Sequence, residues 1–168
     1  MDVLIAGFGV VGQGITEAIR DKQELFVKRF GERVRIVGAF DARSLALDPS
    51  GLDPDELLLR KQSTSRVGKG EAPDDVEKLL QETAYDLLLE VTPTNIVDGG
   101  LGYKHIRTAL AAGRHVATSN KGPLALRFRE LTELAARNRV HLRYEASVGG
   151  AMPVINLSRE LLMGEDII

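Results

Sequence analysis

The sequence predicts an α/β fold in which helices cover both faces of a doubly wound parallel sheet. Short apolar runs alternate with segments of helical periodicity, a glycine-rich turn follows the first apolar run, and several of the runs end in polar residues. Strands that alternate with helices form parallel sheets through right-handed crossovers. The 168 residues suffice for one domain with its own core.

Five strands are predicted from short apolar segments bounded by turn residues. The first, Val3 to Ala6, is apolar at every position, which is typical of a strand buried on both faces. The second, from Val34 to Phe40, is rich in β-branched residues. The remaining three are predicted at 87–91, 115–118 and 140–144.

Helices are predicted between these strands. One long helix begins at Val10 and ends at a glycine cap, Gly31. Others are predicted at 74–83, 103–112, 124–138 and from Pro153 to about Met163. Residues 42–72 contain Asp-Pro twice and Gly-Lys-Gly, which predicts an irregular insertion with one short helix at 54–61.

Composition excludes several classes of function. A net charge of −2 gives no reason to expect nucleic acid or an anionic membrane as a partner. The absence of cysteine excludes disulfides, thiol catalysis and cysteine-metal sites. No apolar run approaches the roughly 18 residues that span a bilayer, and the N-terminus lacks the basic segment of a signal peptide. We therefore expect a cytoplasmic protein.

The segment GFGVVGQG, residues 7–14, predicts a dinucleotide site of the Rossmann type. It follows a strand and opens a helix, the context in which G-x-G-x-x-G carries meaning. Gly7 permits a tight turn, Gly9 leaves room for a pyrophosphate, and Gly12 allows close packing of helix and strand. The helix N-terminus favours the phosphate charge. The alternative is a glycine-rich turn that binds nothing.

The end of the second strand offers two opposing signals for the choice of cofactor. Asp41 can accept hydrogen bonds from the adenosine ribose, which favours NAD. Arg43 can hold a 2′-phosphate, which favours NADP. The basic stretch at 60–70 either folds over the adenosine end or remains a solvated loop. We expect NADP or NAD, with a slight preference for NADP.

Polar clusters follow three of the predicted strands, at 92–95, 119–121 and 145–147. Because the carboxyl ends of parallel strands share one edge, we expect these clusters to meet near the nicotinamide end of a cofactor. Lys121 is the best-placed base for hydride-transfer chemistry there. The alternative is an exposed loop lysine. The three histidines, His105, His115 and His141, fit a catalytic role less well and are expected to be structural or exposed.

A family resemblance rests on four segments, which are GFGVVGQG, TPTN, TSNKGPLA and YEASVGGAMPVI. Together they resemble the cofactor-binding half of homoserine dehydrogenase over essentially the whole chain. This implies interconversion of homoserine and aspartate 4-semialdehyde with NAD or NADP, on the route to threonine and methionine. Other amino-acid or sugar dehydrogenases of similar architecture, and a nucleotide-binding module without turnover, stay as alternatives.

The resemblance also implies roles for individual residues. Lys121 matches the active-site lysine, near both the nicotinamide and the reacting hydroxyl. Cofactor contacts are implied for the loop over the pyrophosphate and for two strand ends, at Phe8, Val10, Val11, Thr92, Pro93, Ser119 and Asn120. A monovalent cation such as sodium is implied at Glu145, Val148, Gly150 and Met152. For Glu145 the alternative is a structural carboxylate that accepts bonds from neighbouring N–H groups.

Domain organisation follows from the same resemblance. Residues 1–150 are expected to form the dinucleotide-binding domain, and residues 151–168 a helix that leads to a C-terminal substrate domain. In the family that second half binds homoserine and supplies most of a dimer interface, so we expect a homodimer at full length. This chain alone is expected to bind cofactor but to turn over poorly.

Overall fold

The computed structural model describes residues 1–150 and 152–158. Within them, seven strands form one sheet. They are β1 (Asp2–Ala6), β2 (Arg35–Phe40), β3 (Ser44–Leu52), β4 (Gly70–Glu71), β5 (Leu87–Glu90), β6 (His115–Thr118) and β7 (Leu142–Arg143). The order across the sheet is β4-β3-β2-β1-β5-β6-β7. The first strand of the chain thus lies in the middle, flanked by β2 and β5, as the doubly wound fold requires.

The central part of the sheet is parallel and one edge is antiparallel. β1 pairs in parallel with β2 and β5, and β6 with β5 and β7. β3 runs antiparallel to β2, and β4 antiparallel to β3. The predicted Rossmann-type α/β fold is confirmed, and the five predicted strands correspond to β1, β2, β5, β6 and β7.

The prediction of an irregular segment at 42–72 is wrong, because β3 and β4 lie within it. Asp48, Pro49 and Gly51 signalled turns and concealed the strand. A proline is tolerated where a strand is incompletely paired, and β4 pairs only with Ser44 and Leu45 of β3. The short helix predicted there exists and extends further, as α3 (Pro54–Thr64).

The predicted long first helix is two helices, α1 (Val10–Asp21) and α2 (Gln23–Phe30). Lys22 leaves helical geometry between them, with φ −109° and ψ 13°. The side chain of Gln23 bonds both backbone groups of Val34, which ties the start of α2 to the chain that enters β2. The predicted cap is confirmed, since Gly31 ends α2 with φ +76°.

The remaining helices are α4 (Val76–Glu82), α5 (Gly100–Ala111), α6 (Lys121–Arg137) and α7 (Val154–Asn156). A 3₁₀ turn at Glu145–Ser147 precedes α7. α6 begins earlier than predicted, so Gly122 and Pro123 belong to its first turn, where a proline costs no hydrogen bond. The last predicted helix is present at Val154–Asn156, and its continuation to Met163 lies outside the described residues.

Two apolar clusters cover the two faces of the sheet. Leu4 and Ala6 of β1 point into one, with Leu88, Ile106 and Leu131 among its members. Val3 and Ile5 point into the other, with Phe8, Ile19 and Leu57. Burial on both faces explains why β1 is apolar at every position after Asp2. Among the described residues, no helix has the length and apolar character needed to cross a membrane.

Candidate cofactor-binding site

A cavity of about 820 Å³ opens at the carboxyl edge of the parallel strands. This volume lies within the range of about 300–1,000 Å³ that small-molecule sites occupy. The cavity is lined from four strand ends, by residues that include Gly7, Asp41, Thr92, Ser119 and Lys121. The structure therefore brings the glycine turn and the polar residues after β2, β5 and β6 into one cleft.

The glycine turn is shaped to admit a ligand. Gly7 has φ +99°, and a Cβ there would lie 2.7 Å from the carbonyl oxygen of Val91. A Cβ on Gly12 would lie 2.2 Å from the carbonyl oxygen of Gly7. A Cβ on Gly9 would meet no described atom within 4 Å. Packing thus requires the first and third glycines, whereas the second borders the open space that a pyrophosphate would need.

The N-terminus of α1 faces the same space with unsatisfied donors. Its cap is Gly9, which makes no side-chain cap bond, and its first turn holds no acidic residue. Free N–H groups and the positive end of the helix dipole suit an anion. The side chain of Phe8 is buried in the core and anchors the turn. Val10 is 89% exposed and Val11 about half exposed, beside the cavity.

At the adenosine end, Asp41 lies in a polar setting of its own. Its Oδ1 accepts the N–H groups of Arg43 at 2.8 Å and Ser44 at 3.0 Å. Its Oδ2 accepts from Nζ of Lys61 at 2.6 Å. Burial acts to raise the pKa of Asp41, but the bonds from Lys61 and Arg43 outweigh it and hold the pKa below the ordinary value. A negative charge is therefore stable at this position.

The basic stretch at 60–70 is divided by the structure. Lys61 lies on α3 and lines the cavity, where it pairs with Asp41. Arg66 pairs with Glu71, whereas Arg60 and Lys69 border a separate shallow groove. Arg43 is exposed at the end of β2 and is not among the cavity-lining residues. Of this stretch, Lys61 alone reaches the predicted adenosine end within the described residues.

Lys121 is the first residue of α6 and lines the other end of the cavity. It is exposed, and none of the described residues forms an ion pair or hydrogen bond with its ammonium group. Pro93, Thr94 and Ser119 also line the cavity. An exposed amino group in the cavity wall is available to a bound ligand for proton exchange.

Asn120 lies in the interior and not in the cavity wall. Its side chain is 1% exposed. Its Oδ1 accepts the N–H of Gly122 at 3.3 Å, which caps α6, and its Nδ2 donates to the carbonyl oxygen of Thr92 at 3.3 Å. A direct cofactor contact of Asn120 stays a prediction, and in this structure its side chain bonds to Thr92 and Gly122. Residues that cap a helix beneath a site are hard to tell from lining residues by sequence alone.

Two residues that the sequence did not predict as part of the site lie at this end of the cavity. Glu90 ends β5 and is 0% exposed, and His105 of α5 is 2% exposed. His105 lies at the carboxyl edge and also borders the cavity. The available signal was a carboxylate at the end of the run Leu87-Leu88-Leu89, because a charge in a buried strand needs a reason. The other two histidines stack on each other, 5.2 Å apart, at the start of β6 and beside β7.

The predicted cation residues lie beside the 3₁₀ turn. The carboxylate of Glu145 accepts the N–H of Ile155 at 3.0 Å and of Asn156 at 3.1 Å, which caps the N-terminus of α7. Val148 and Met152 are exposed. The bonds of Glu145 favour the alternative of a structural carboxylate, and a cation site there stays a prediction. The described residues contain no cluster of three or more acidic, histidine or cysteine ligands.

An α/β sheet with a parallel centre, a glycine turn, a free helix N-terminus and an acidic residue after β2 is the arrangement of a dinucleotide-binding domain. Comparison with known families identifies the particular family of dinucleotide-binding domains. The sequence model of the family described as "Homoserine dehydrogenase, NAD binding domain" matches residues 7–145. The chain belongs to this family.

Individual relatives agree with this assignment. The chain is 38% identical to a homoserine dehydrogenase of Methanocaldococcus jannaschii, a match that covers 100% of the chain and 51% of the relative. It is 33% identical to an NAD(+)-dependent homoserine dehydrogenase of Pseudomonas canavaninivorans, over 97% of the chain and 47% of the relative. The chain therefore spans about half the length of these curated relatives.

A solved structure also matches the fold. A mutant of a hyperthermophilic archaeal homoserine dehydrogenase, determined in complex with NADPH, superposes with a TM-score of 0.83 at 28% identity. The match covers 97% of this chain and 49% of that one. The fold described here is thus the N-terminal half of the homoserine dehydrogenase architecture.

Proposed function

We propose that this chain is the cofactor-binding half of a homoserine dehydrogenase that transfers hydride between homoserine and aspartate 4-semialdehyde. The observation that supports it most is the convergence of the glycine turn, Asp41 and Lys121 on one cavity. Residues 1–150 are the dinucleotide-binding domain in this proposal, and residues 151–168 lead towards a substrate domain. That second domain would complete a homodimer, and the location would be cytoplasmic.

The dinucleotide would lie across the carboxyl edge of the sheet. Its pyrophosphate would meet the turn at Gly9 and the N-terminus of α1. Its adenosine ribose would lie towards Asp41, because β2 neighbours β1 on that side. Its nicotinamide would lie towards β5 and β6 on the other side, between Thr92 and Ser119.

The nicotinamide ring, when bound, supplies the hydride acceptor or donor, and the chain supplies orientation and proton handling. Oxidation of homoserine removes a hydride from the carbon that bears the hydroxyl group and a proton from that hydroxyl. Lys121, as the neutral amine, is placed to receive that proton at Nζ as the hydride leaves, which converts it to the ammonium form. In the reverse direction the same ammonium group returns the proton to the aldehyde oxygen.

The adenosine end favours NADP and accommodates NAD. Asp41 alone would repel a 2′-phosphate, but its Oδ2 is paired with Lys61 at 2.6 Å. Lys61 compensates the carboxylate charge, and the exposed Arg43 can add a second positive charge within reach of the phosphate. Dual use agrees with the relatives, one of which is named as NAD(+)-dependent while another was solved with NADPH.

The proposed reaction is tested by an assay with homoserine. The 168-residue chain should show little turnover by itself, because the substrate-binding half is expected elsewhere. Joined to the C-terminal half of the M. jannaschii relative, it should oxidise homoserine with NADP or NAD. Efficient turnover by the chain alone would contradict the division of the site between two halves, and a joined protein that binds cofactor without any oxidation of homoserine would contradict the substrate.

A further inference from the structure

A buried polar group lies beneath the nicotinamide end of the cavity. We call it the Glu90 cluster, and its members are Glu90, Thr92, His105, Thr118 and Asn120. Glu90 lies where a strand would normally carry an apolar residue, and no part of it reaches solvent. A buried carboxylate costs several kcal/mol unless donors satisfy it. The donors that bond to the carboxylate of Glu90 therefore show which segments of the chain the cluster connects.

Glu90 joins two strand ends. Its Oε1 accepts the backbone N–H of Thr92 at 3.1 Å and also the hydroxyl of Thr92. The hydroxyl of Thr118, the last residue of β6, donates to Glu90 and lies 3.0 Å from its Oε2 and 2.9 Å from its backbone carbonyl oxygen. One carboxylate thus connects the segment after β5 with the end of the neighbouring strand. These are the two segments that flank the position assigned to the nicotinamide.

Two further hydrogen bonds connect Thr118 back to Thr92 through Asn120, so that Glu90, Thr118, Asn120 and Thr92 form a ring of hydrogen bonds. Oγ1 of Thr118 accepts the N–H of Asn120 at 3.0 Å. Nδ2 of Asn120 donates to the carbonyl oxygen of Thr92 at 3.3 Å. Because Asn120 caps α6 and Lys121 is its first residue, the ring fixes where the backbone of Lys121 lies. Thr92 and Lys121 are therefore set relative to each other through Glu90 and Thr118.

Helix α5 packs directly against the Glu90 cluster. A Cβ on Gly102 would lie 2.3 Å from Nδ2 of Asn120 and 3.3 Å from Oε1 of Glu90, so only glycine allows this approach. Nδ1 of His105 lies 3.8 Å from Oε1 of Glu90. Neither ring nitrogen of His105 has a hydrogen-bond partner among the described residues. Such a buried polar pair is expensive for stability alone, which indicates a positional role.

We propose that Glu90 is a positioning residue for the nicotinamide half of the site. It holds the segment at Thr92 and the start of α6 at the separation that receives the nicotinamide ring. This inference rests on the proposed function, which assigns the two ends of the dinucleotide. It goes beyond that function because Glu90 touches neither cofactor nor substrate and acts through Thr92 and Thr118.

The inference is tested by comparing two ligands on the 168-residue chain. NADPH carries the nicotinamide, whereas 2′-phospho-ADP-ribose lacks it and occupies the rest of the site. Thr118→Val removes the hydroxyl that links Glu90 to β6 and keeps the side-chain shape. We expect it to weaken NADPH binding about tenfold, to reduce the change in nicotinamide fluorescence on binding, and to leave the affinity for 2′-phospho-ADP-ribose unchanged.

Three further variants sharpen the test. Thr118→Ser keeps the hydroxyl and should restore NADPH affinity and fluorescence. Glu90→Met removes the carboxylate bonds to Thr92 and Thr118 but keeps the backbone carbonyl that Thr118 also contacts. It should show a selective loss of NADPH affinity in the same direction if Thr118→Val does not fold. Thr108→Val is the matched control, because Thr108 is a buried threonine of α5 that does not line the cavity. It should bind both ligands as the unmodified chain does.

The outcomes separate this inference from the proposed function. Equal affinity of Thr118→Val and the unmodified chain for NADPH would overturn the inference and leave the proposed function intact. An equal loss for both ligands would also overturn it, since the cluster would then support the fold as a whole. Failure of the unmodified chain to bind either ligand would overturn the proposed function and the inference together.

Discussion

The two ends of the cavity each hold a carboxylate at the end of a strand, and the two are satisfied in different ways. Asp41, after β2, is partly exposed and pairs with the ammonium group of Lys61. Glu90, at the end of β5, is fully buried and accepts from two hydroxyls and an N–H. The carboxylate at the adenosine end is thus balanced by a cation as well as by backbone N–H groups, whereas no lysine or arginine among the described residues pairs with Glu90.

This difference matches what each end must do. Choice between NAD and NADP is a question of charge at one ribose oxygen, and the Asp41–Lys61 ion pair that lines the cavity can respond to that charge. Hydride transfer instead depends on placement, because a misplacement of about 1 Å can cost about 100-fold in rate. A fully buried carboxylate whose donors lie at two neighbouring strand ends suits that placement.

The largest effect on cofactor binding is expected at the glycine turn, because both ends of the cavity depend on it. Gly12→Val would place side-chain atoms against the carbonyl of Gly7, so the turn would have to move. We expect loss of binding for NADPH and NADH alike and a decrease of about 1–3 kcal/mol in the free energy of unfolding, measured by calorimetry and urea titration. Gly14→Ala is the control, because a Cβ there meets no described atom within 4 Å. Retained binding in Gly12→Val would remove the turn from the site.

The role assigned to Lys121 at the nicotinamide end is tested by Lys121→Ala. In a chain that carries both halves of the site, this change should lower kcat by about 100-fold or more while NADPH still binds. Lys104→Ala serves as the control, since Lys104 is an exposed lysine of α5 that does not line the cavity. Unchanged kcat in Lys121→Ala would exclude the proton transfer assigned to it.

The preference for NADP at the adenosine end is tested by Lys61→Met and Arg43→Ala. Each should weaken NADP about tenfold or more, since a charged hydrogen bond to phosphate is lost, and NAD much less. Isothermal titration with both cofactors measures the ratio. An equal effect on the two cofactors would mean that neither cation contacts the 2′-phosphate.

The smallest effect concerns the pH dependence of stability. The pKa of Asp41 in the folded chain lies below its ordinary value. Its carboxylate therefore stabilises the fold above about pH 4, the unfolded value, and this contribution is lost as the pH falls through the lower folded value. Asp41→Asn should reduce stability at pH 7 by about 1 kcal/mol or less. In urea titrations the difference from the unmodified chain should vanish in strong acid, and a difference that persists there would contradict the ionic origin.

The sequence predicted the elements whose pattern is local. β1 is apolar at every position after Asp2 because it is buried on both faces. The first and third glycines of the turn are required by close contacts, such as that between Gly12 and the carbonyl oxygen of Gly7. The lysine after β6 was also identified, since a charged residue at a strand end marks the functional edge. Periodicity and turn chemistry suffice for such features.

The features that were missed depend on contacts distant in the chain. The break at Lys22 follows from the bonds of Gln23 to Val34, and β3 becomes visible only through its pairing with β2. The role of Glu90 arises from residues on β6 and α5, which no local pattern connects to it. For the same reason Asn120 looked like a lining residue although it faces inward.

The central claim is that this chain holds a complete binding site for a nicotinamide dinucleotide. The most direct measurement is a calorimetric titration of the 168-residue chain with NADPH and with NADH. We expect saturable binding of both cofactors, with one molecule per chain and NADPH the tighter ligand. Absence of binding for both cofactors would contradict it.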